Sequence, residues 1–114
     1  MKEDFLQKLF DLVEERKNST SKDSYVKSLF DAGHQKINEK VLEESLELLE
    51  ATLDTSNSKQ EKVIHETADL WFHTLILLSN ENIKLEEIIS ELKSRFGTSG
   101  HLEKASRSSS EEEK

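Results

Sequence analysis

Two pairs of acidic residues are the side chains best suited to chemistry, and each pair has the spacing of one helical turn. Glu44 and Glu47 form the first pair, and Glu66 and Asp69 form the second. Residues three apart on a helix project from the same side, so each pair aims two carboxylates in one direction. On two facing helices the four carboxylates would converge, and their mutual repulsion would require a cation among them.

A ligand set made only of carboxylate oxygens favours Mg²⁺ or Mn²⁺. Such an ion can bridge phosphate oxygens and orient an attacking water, so the pattern indicates hydrolysis of a nucleotide phosphoanhydride. Structural ion pairs on a solvated helix face give the same spacing, and the residues alone leave both interpretations open. Glu66 and Asp69 directly precede the most apolar stretch of the chain, beginning at Leu70, which favours a site.

The elements that must position these acids are predicted to be helices. Proline is absent and only three glycines occur, so few residues would interrupt a helix. Apolar residues recur at three- and four-residue spacing in five segments. We predict helices from Phe5 to near Lys17, from Ser24 to a left-handed cap at Gly33, from His34 to near Asp54, from a Ser58–Glu61 capping box to a turn at Asn80–Asn82, and from Leu85 to Gly97.

The fold class predicted from this pattern is all-α, with helices three and four forming the core of a helical bundle. The chain has 114 residues, of which 33% are hydrophobic and 35% charged, so a monomer has little apolar surface to bury. We therefore expect dimerisation to complete the bundle. Residues 1–105 are predicted to form one domain, and the polar residues 106–114 a disordered tail.

Charge and composition exclude several classes of function. The formal net charge of −8 disfavours binding to nucleic acid or to an anionic membrane. The absence of cysteine excludes disulfides, thiolate catalysis and cysteine-ligated metals. The N-terminal residues are charged throughout, and no apolar run reaches the 18 residues typical of a membrane span. We expect a cytoplasmic protein.

Basic side chains near the acids have two interpretations. Lys36 and Lys40 precede Glu44 on the third predicted helix, where they can either contact substrate phosphates or pair with neighbouring glutamates. His65 and His73 lie close to Asp69 in the sequence, but no zinc-binding histidine pattern is present. For both histidines a core or boundary position is the more common outcome, and neither is assigned to the metal.

The pattern E-E-x-x-E followed by E-x-x-D resembles the motif of the all-alpha nucleotide pyrophosphatase superfamily, which includes the MazG-like enzymes. Within that superfamily the chain is most similar to the phosphoribosyl-ATP pyrophosphatase family of histidine biosynthesis, over roughly Phe5 to Arg107. The matching positions are Ser24-Tyr25, Gly33, Lys36-Ile37, Lys40-Val41, Glu43-Glu44, Glu47, Glu66, Ala68-Asp69-Leu70, His73, Arg95-Phe96 and Glu103 to Arg107.

The resemblance implies a homodimeric enzyme that hydrolyses phosphoribosyl-ATP to phosphoribosyl-AMP and pyrophosphate with Mg²⁺ and water. It implies metal ligation and catalysis by Glu44, Glu47, Glu66 and Asp69, and a helping role for Glu43. It further implies substrate binding by Lys36, Lys40, Ser24 and Tyr25, which form the second group of site residues. Because the sequence contains no cyclohydrolase domain, the product is expected to pass to a separate phosphoribosyl-AMP cyclohydrolase.

Two other functions fit the same residues. One is a MazG-like house-cleaning enzyme that hydrolyses ordinary or damaged nucleoside triphosphates with the same metal chemistry. The other is a non-catalytic helical interaction module, with the apolar half of the fourth helix as its binding surface and the acids as solubilising charge. Turnover of phosphoribosyl-ATP, compared with that of deoxynucleoside triphosphates, separates the three.

Overall fold

A computed structural model describes residues 2–20 and 24–97, with side chains from Phe5 onward. These residues form helices and connecting turns, without a strand, so the predicted all-α class is confirmed. The helices are α1 (Lys2–Lys17), α2 (Tyr25–Ala32), α3 (His34–Ala51), α4 (Lys59–Asn80) and α5 (Leu85–Phe96). The predicted tail and the C-terminal part of the family resemblance lie outside the described residues.

The boundary between α2 and α3 depends on one glycine. Ser24 starts α2 by accepting a hydrogen bond from the Lys27 amide at 3.1 Å, as a cap residue does. Gly33 ends α2 and also precedes the first residue of α3, with φ of 101° and ψ of 174°. The positive φ agrees with the prediction, but ψ is extended because the chain must turn at once into the next helix. No atom lies within 4 Å of a Cβ built at Gly33, so backbone conformation alone favours glycine.

The turn between α3 and α4 differs from the prediction in two details. α3 ends at Ala51, before the expected Asp54, because the Thr52 hydroxyl donates to the Leu49 carbonyl at 2.6 Å and the chain turns there. α4 begins after Ser58 as predicted, but the Ser58 side chain does not cap it. Its hydroxyl lies 2.9 Å from the hydroxyl of Ser56, which replaces the capping box that the spacing predicted.

The core of the first four helices positions α3 against α4. A buried cluster unites side chains of α1 to α4, namely Val13, Val26, Leu29, Ile37 and Ile76. α3 and α4 pack along each other more extensively than any other pair of helices. Because a short turn joins them, they form an antiparallel helical hairpin. The acid pairs therefore lie on the two arms of one hairpin.

α3 and α4 also carry an unburied apolar surface, which we call the apolar stripe. It comprises Leu42, Leu46 and Leu49 of α3, Leu53 in the turn just after α3, and Ile64 and Trp71 of α4. The four leucines are between 57% and 78% exposed, and the spacing of the first three places them on one face of α3. A contiguous apolar face of this kind is uncommon on a monomer.

The chain divides into two compact units, the first ending at Ile83 and the second starting at Lys84. The second unit contains α5, whose start is stabilised by the Glu87 carboxylate accepting from the Lys84 amide at 3.0 Å. As predicted, α5 ends at Gly97. Among the helices described, none has both the length and the apolar character required to cross a bilayer.

Candidate metal centre

Three of the four predicted acids meet in one cluster between α3 and α4. Carboxylate oxygens of Glu44, Glu66 and Asp69 all lie within 4.8 Å of one another. The antiparallel hairpin explains this meeting, because one turn back along α3 from Glu47 reaches Glu44, while one turn forward along α4 from Glu66 reaches Asp69. The spacing and the topology together place the acids opposite each other.

Two oxygens of the cluster are buried without a partner. Glu44 is only 6% exposed, and its Oε1 has no hydrogen bond. Oε1 of Glu66 is buried and unpaired in the same way. An unpaired buried carboxylate oxygen lowers the stability of a protein by about 1 to 3 kcal/mol or more, so such oxygens usually have a hydrogen-bond partner or a bound ion. A hard divalent cation, which prefers oxygen ligands, fits this donor set.

Glu47 adjoins the cluster from its solvent side. It lies outside the group of three, but its carboxyl group is within hydrogen-bonding reach of Glu66. Desolvation raises the pKa of Glu47, and the carboxylate of Glu66 and the negative charge of Glu43 raise it further, whereas the charge of Lys40 lowers it. The neighbouring negative charges make this position favourable for a cation.

The other predicted residues of α3 make ion pairs along that helix. Lys40 Nζ donates to Glu43 Oε1 at 3.2 Å, and this hydrogen bond raises the pKa of Lys40. Lys36 Nζ lies 4.0 Å from Glu39 Oε1, with half of its side chain exposed. Both lysines therefore make the ion pairs that composition alone suggested. Glu43 faces Lys40, and the cluster does not include it.

A histidine that the sequence analysis left unassigned closes the inner side of the cluster. His73 is 5% exposed, and its Nδ1 lies 3.0 Å from the Asp69 carbonyl oxygen and 3.8 Å from Glu44 Oε2. Its Nε2 lies 2.8 Å from the Tyr25 hydroxyl. Tyr25 is thus beside the site, whereas the Ser24 side chain caps α2. The four-residue spacing between Asp69 and His73 could have indicated the contact of the His73 ring with the Asp69 carbonyl.

Asp69 also contacts a second histidine, this one near the surface. His65 Nε2 lies 3.2 Å from Asp69 Oδ2, and the His65 side chain is 71% exposed. Four-residue spacing on α4 brings these two side chains together, but His65 is exposed and does not take the core or boundary position that was expected as the more common outcome.

An open groove leads from the cluster along the hairpin. It has a volume of about 600 Å³, and Glu47 and Glu66 line it where it meets the cluster. Farther along, it is lined by Asp54 and Lys62, which form an ion pair. The hydrogen bond from Lys62 holds the pKa of Asp54 well below its usual range. The groove gives solvent-borne molecules a path to the acids.

Known proteins with similar sequences support a specific family. The family model described as phosphoribosyl-ATP pyrophosphohydrolase matches residues 6–96, which include all four acids. A phosphoribosyl-ATP pyrophosphatase of Vesicomyosocius okutanii is 49% identical over 105 residues, covering 92% of this chain and 97% of that protein.

Two further relatives have the same name. The phosphoribosyl-ATP pyrophosphatase of Ruthia magnifica is 46% identical, with 91% of this chain and 96% of that protein covered. The one from Geobacter sulfurreducens is 44% identical, with coverage of 93% and 95%. The similarity therefore extends over nearly the full length of these relatives.

Proposed function

This chain belongs to the phosphoribosyl-ATP pyrophosphohydrolase family, and on that premise we propose that it hydrolyses phosphoribosyl-ATP to phosphoribosyl-AMP and pyrophosphate. The reaction is the second step of histidine biosynthesis. The observation that carries the proposal is the cluster of Glu44, Glu66 and Asp69, in which two buried oxygens have no partner. A reaction at a phosphoanhydride needs positive charge at such a position.

We assign Mg²⁺ as the cofactor, held by Glu44, Glu66 and Asp69, with Glu47 joining from the groove. The all-oxygen donor set and the two unpaired buried oxygens support this assignment. When bound, Mg²⁺ would supply the charge that neutralises phosphate oxygens and stabilises the pyrophosphate leaving group.

The attacking nucleophile is water, which reaches the acids through the groove. Glu47 lies where the groove meets the cluster. There Glu47 would act on that water as a ligand of the ion, since a bound cation offsets the negative charges that raise its pKa in the free chain. Glu43 remains the predicted helper in the site, through its hydrogen bond with Lys40.

Lys36 and Lys40 are proposed to contact the substrate phosphates. Lys40 supports this role, because its charge acts on Tyr25 and on Glu47, at the edge of the cluster. Lys36, one turn earlier on the same helix, is half exposed and held only by a 4.0 Å ion pair. Ser24 and Tyr25 remain proposed substrate-binding residues, with the Tyr25 side chain half exposed beside the site.

We further propose that two copies of the chain pair through the apolar stripe. The four leucines repeat at alternating four- and three-residue spacing, the pattern by which helices pack against helices. Leu46→Glu should therefore convert a dimer to a monomer in sedimentation analysis. The matched control is Leu92→Glu on α5, because Leu92 is also exposed but lies outside the apolar stripe. A dimer that survives Leu46→Glu unchanged would contradict this surface.

The test of the activity is pyrophosphate release from phosphoribosyl-ATP by purified protein, with and without Mg²⁺. We expect Mg²⁺-dependent release that is much faster than release from deoxynucleoside triphosphates. Faster turnover of deoxynucleoside triphosphates would establish the house-cleaning function instead. No turnover of either substrate would support the interaction module, although of its expected surface on α4 Trp71 is exposed while Leu75 and Ile76 are buried in the core.

The proposed setting is the cytoplasm, because substrate and product are charged nucleotides and the chain has no cysteine to oxidise. The phosphoribosyl-AMP formed is the substrate of a phosphoribosyl-AMP cyclohydrolase, which we propose as the enzyme that acts next. The acidic net charge is compatible with a role that involves neither nucleic acid nor membrane.

A further inference from the structure

The inner wall of the acid cluster is made by a histidine held from two sides. His73 on α4 is 5% exposed, and its ring meets those of Tyr25 and Phe72 edge-on, with centroids 5.8 and 5.5 Å away. The ring therefore has a fixed orientation. Through Tyr25, this wall also connects α2 to the part of α4 that bears Asp69.

The hydrogen bonds of His73 define its tautomer. The Asp69 carbonyl oxygen can only accept, so Nδ1, 3.0 Å away, carries the hydrogen. In the neutral ring Nε2 is then an acceptor, and the Tyr25 hydroxyl donates to it at 2.8 Å. Burial raises the pKa of Tyr25, and the charges of Glu44 and Asp69 raise it further, so the hydroxyl keeps the proton that it donates. Both ring nitrogens are satisfied.

The most buried carboxylate of the cluster lies against this ring. Glu44 Oε2 is 3.8 Å from His73 Nδ1, so the two groups are in contact without a hydrogen bond. Because the ring occupies the space behind the carboxylate, Glu44 has few alternatives to facing Glu66 and Asp69. Groups behind metal ligands commonly set the orientation in which those ligands bind.

We propose that Tyr25 and His73 are positioning residues that hold Glu44 and Asp69 in their ligating arrangement and so raise the affinity of the cluster for a divalent cation. The proposal rests on the proposed function, since it assumes that the acids bind a metal. This role differs from direct substrate binding by Tyr25. In the positioning role, the Tyr25 hydroxyl affects metal affinity in the protein without substrate.

The test is a titration of substrate-free protein with Mn²⁺, followed by electron paramagnetic resonance of the free ion. Tyr25→Phe removes only the hydroxyl, and His73→Asn retains a donor for the Asp69 carbonyl while losing the contact with Tyr25. Each variant should bind Mn²⁺ about 10-fold more weakly than the parent, as is typical when a group behind a ligand is lost. The double variant should bind Mn²⁺ no more weakly than His73→Asn alone, because both changes break the same hydrogen bond between Tyr25 and His73.

Thr74→Val is the matched control. It removes a hydrogen bond of the same kind, from the Thr74 hydroxyl to the Leu70 carbonyl, next to His73 on α4. Its Mn²⁺ affinity should equal that of the parent. Melting temperatures of all variants without metal show whether each one is folded, and Tyr25→Phe, which changes no packing volume in the core, carries the conclusion.

The outcomes separate this proposal from the proposed function. If the parent binds Mn²⁺ and Tyr25→Phe binds it equally well, the positioning role is overturned while the metal centre stands. An unchanged Mn²⁺ affinity with a raised KM for phosphoribosyl-ATP would instead assign Tyr25 to the substrate. If the parent itself binds no Mn²⁺, the metal centre is wrong, and the positioning role is wrong with it.

Discussion

Polar groups are removed from water at two places along α4. At one place they have hydrogen-bond partners within the chain, and at the other two oxygens do not. Near the end of α4, the Ser79 hydroxyl donates to Glu14 Oε2 at 2.6 Å, and Lys17 Nζ donates to the Ser79 carbonyl at 2.7 Å. The same ammonium group lies 3.7 Å from Glu14 Oε2 and 5.8 Å from the centre of the Phe30 ring. Here the chain satisfies its own polar atoms.

Near the middle of α4, the acid cluster does not satisfy itself. Three carboxylates meet, and two buried oxygens are left without a partner. The first place is explained by folding alone, because each group has a partner and α1 is tied to α4. The second place costs stability in the free chain, and this cost is what supports the cation proposed there. This contrast separates a structural polar contact from a binding site.

The largest expected effect comes from removing a ligand at the second place. Asp69→Asn and Glu44→Gln should each lower Mg²⁺-dependent pyrophosphate release by about 100-fold or more, since each removes a charged ligand with almost no change in volume. The melting temperature without metal should be unchanged or higher, because repulsion within the cluster is relieved.

A charge-matched control is available on α1. Glu15→Gln also removes one negative charge, but Glu15 is exposed and distant in sequence from the acids. Its turnover should equal that of the parent. If Asp69→Asn and Glu44→Gln both retained activity within a few-fold of the parent, these acids would have no essential role in the reaction.

Addition of metal gives the next largest effect. A ligand that binds only the folded state stabilises it by about 2.7 kcal/mol at a free concentration 100 times its Kd. In a domain of this size, that should raise the melting temperature by roughly 10 °C or more. Differential scanning calorimetry with and without Mg²⁺ measures the shift. Glu44→Gln should lose most of it, and a shift that is equal in parent and variant would place the ion elsewhere.

The smallest effect is expected at the self-satisfied place. Ser79→Ala removes a hydroxyl from a residue that is 0% exposed, and leaves Glu14 with Lys17 as its partner. The free energy of unfolding should fall by about 1 to 2 kcal/mol. Turnover per folded molecule and the shift with Mg²⁺ should both stay unchanged. Loss of turnover comparable to that of Asp69→Asn would show that the two places are not independent.

The extent to which the sequence predicts these features depends on how local their causes are. Helix starts and ends were predictable where one residue decides them, as with Ser24 and Gly33. The end of α3 and the Ser58 cap were not, because competing hydrogen bonds from Thr52 and Ser56 decide them. Three-residue spacing predicted that Glu44, Glu66 and Asp69 would converge, since helical period and a hairpin suffice for that.

Features that depend on packing were beyond the sequence. Whether Glu47 joins the cluster depends on the angle between α3 and α4, which no pattern fixes. The contact of Tyr25 with His73 depends on how α2 packs against the hairpin, so it cannot be predicted from sequence spacing. The partnership of Glu14 with Ser79 spans the length of the first unit and was likewise unpredicted.

The central claim is that the oxygens left unpaired between α3 and α4 bind a divalent cation. The most direct measurement is an anomalous difference map from crystals of the protein grown or soaked with Mn²⁺. We predict a peak enclosed by the carboxylates of Glu44, Glu66 and Asp69, absent from crystals of Asp69→Asn. A map without a peak there, or with its strongest peak elsewhere on the molecule, would contradict the account.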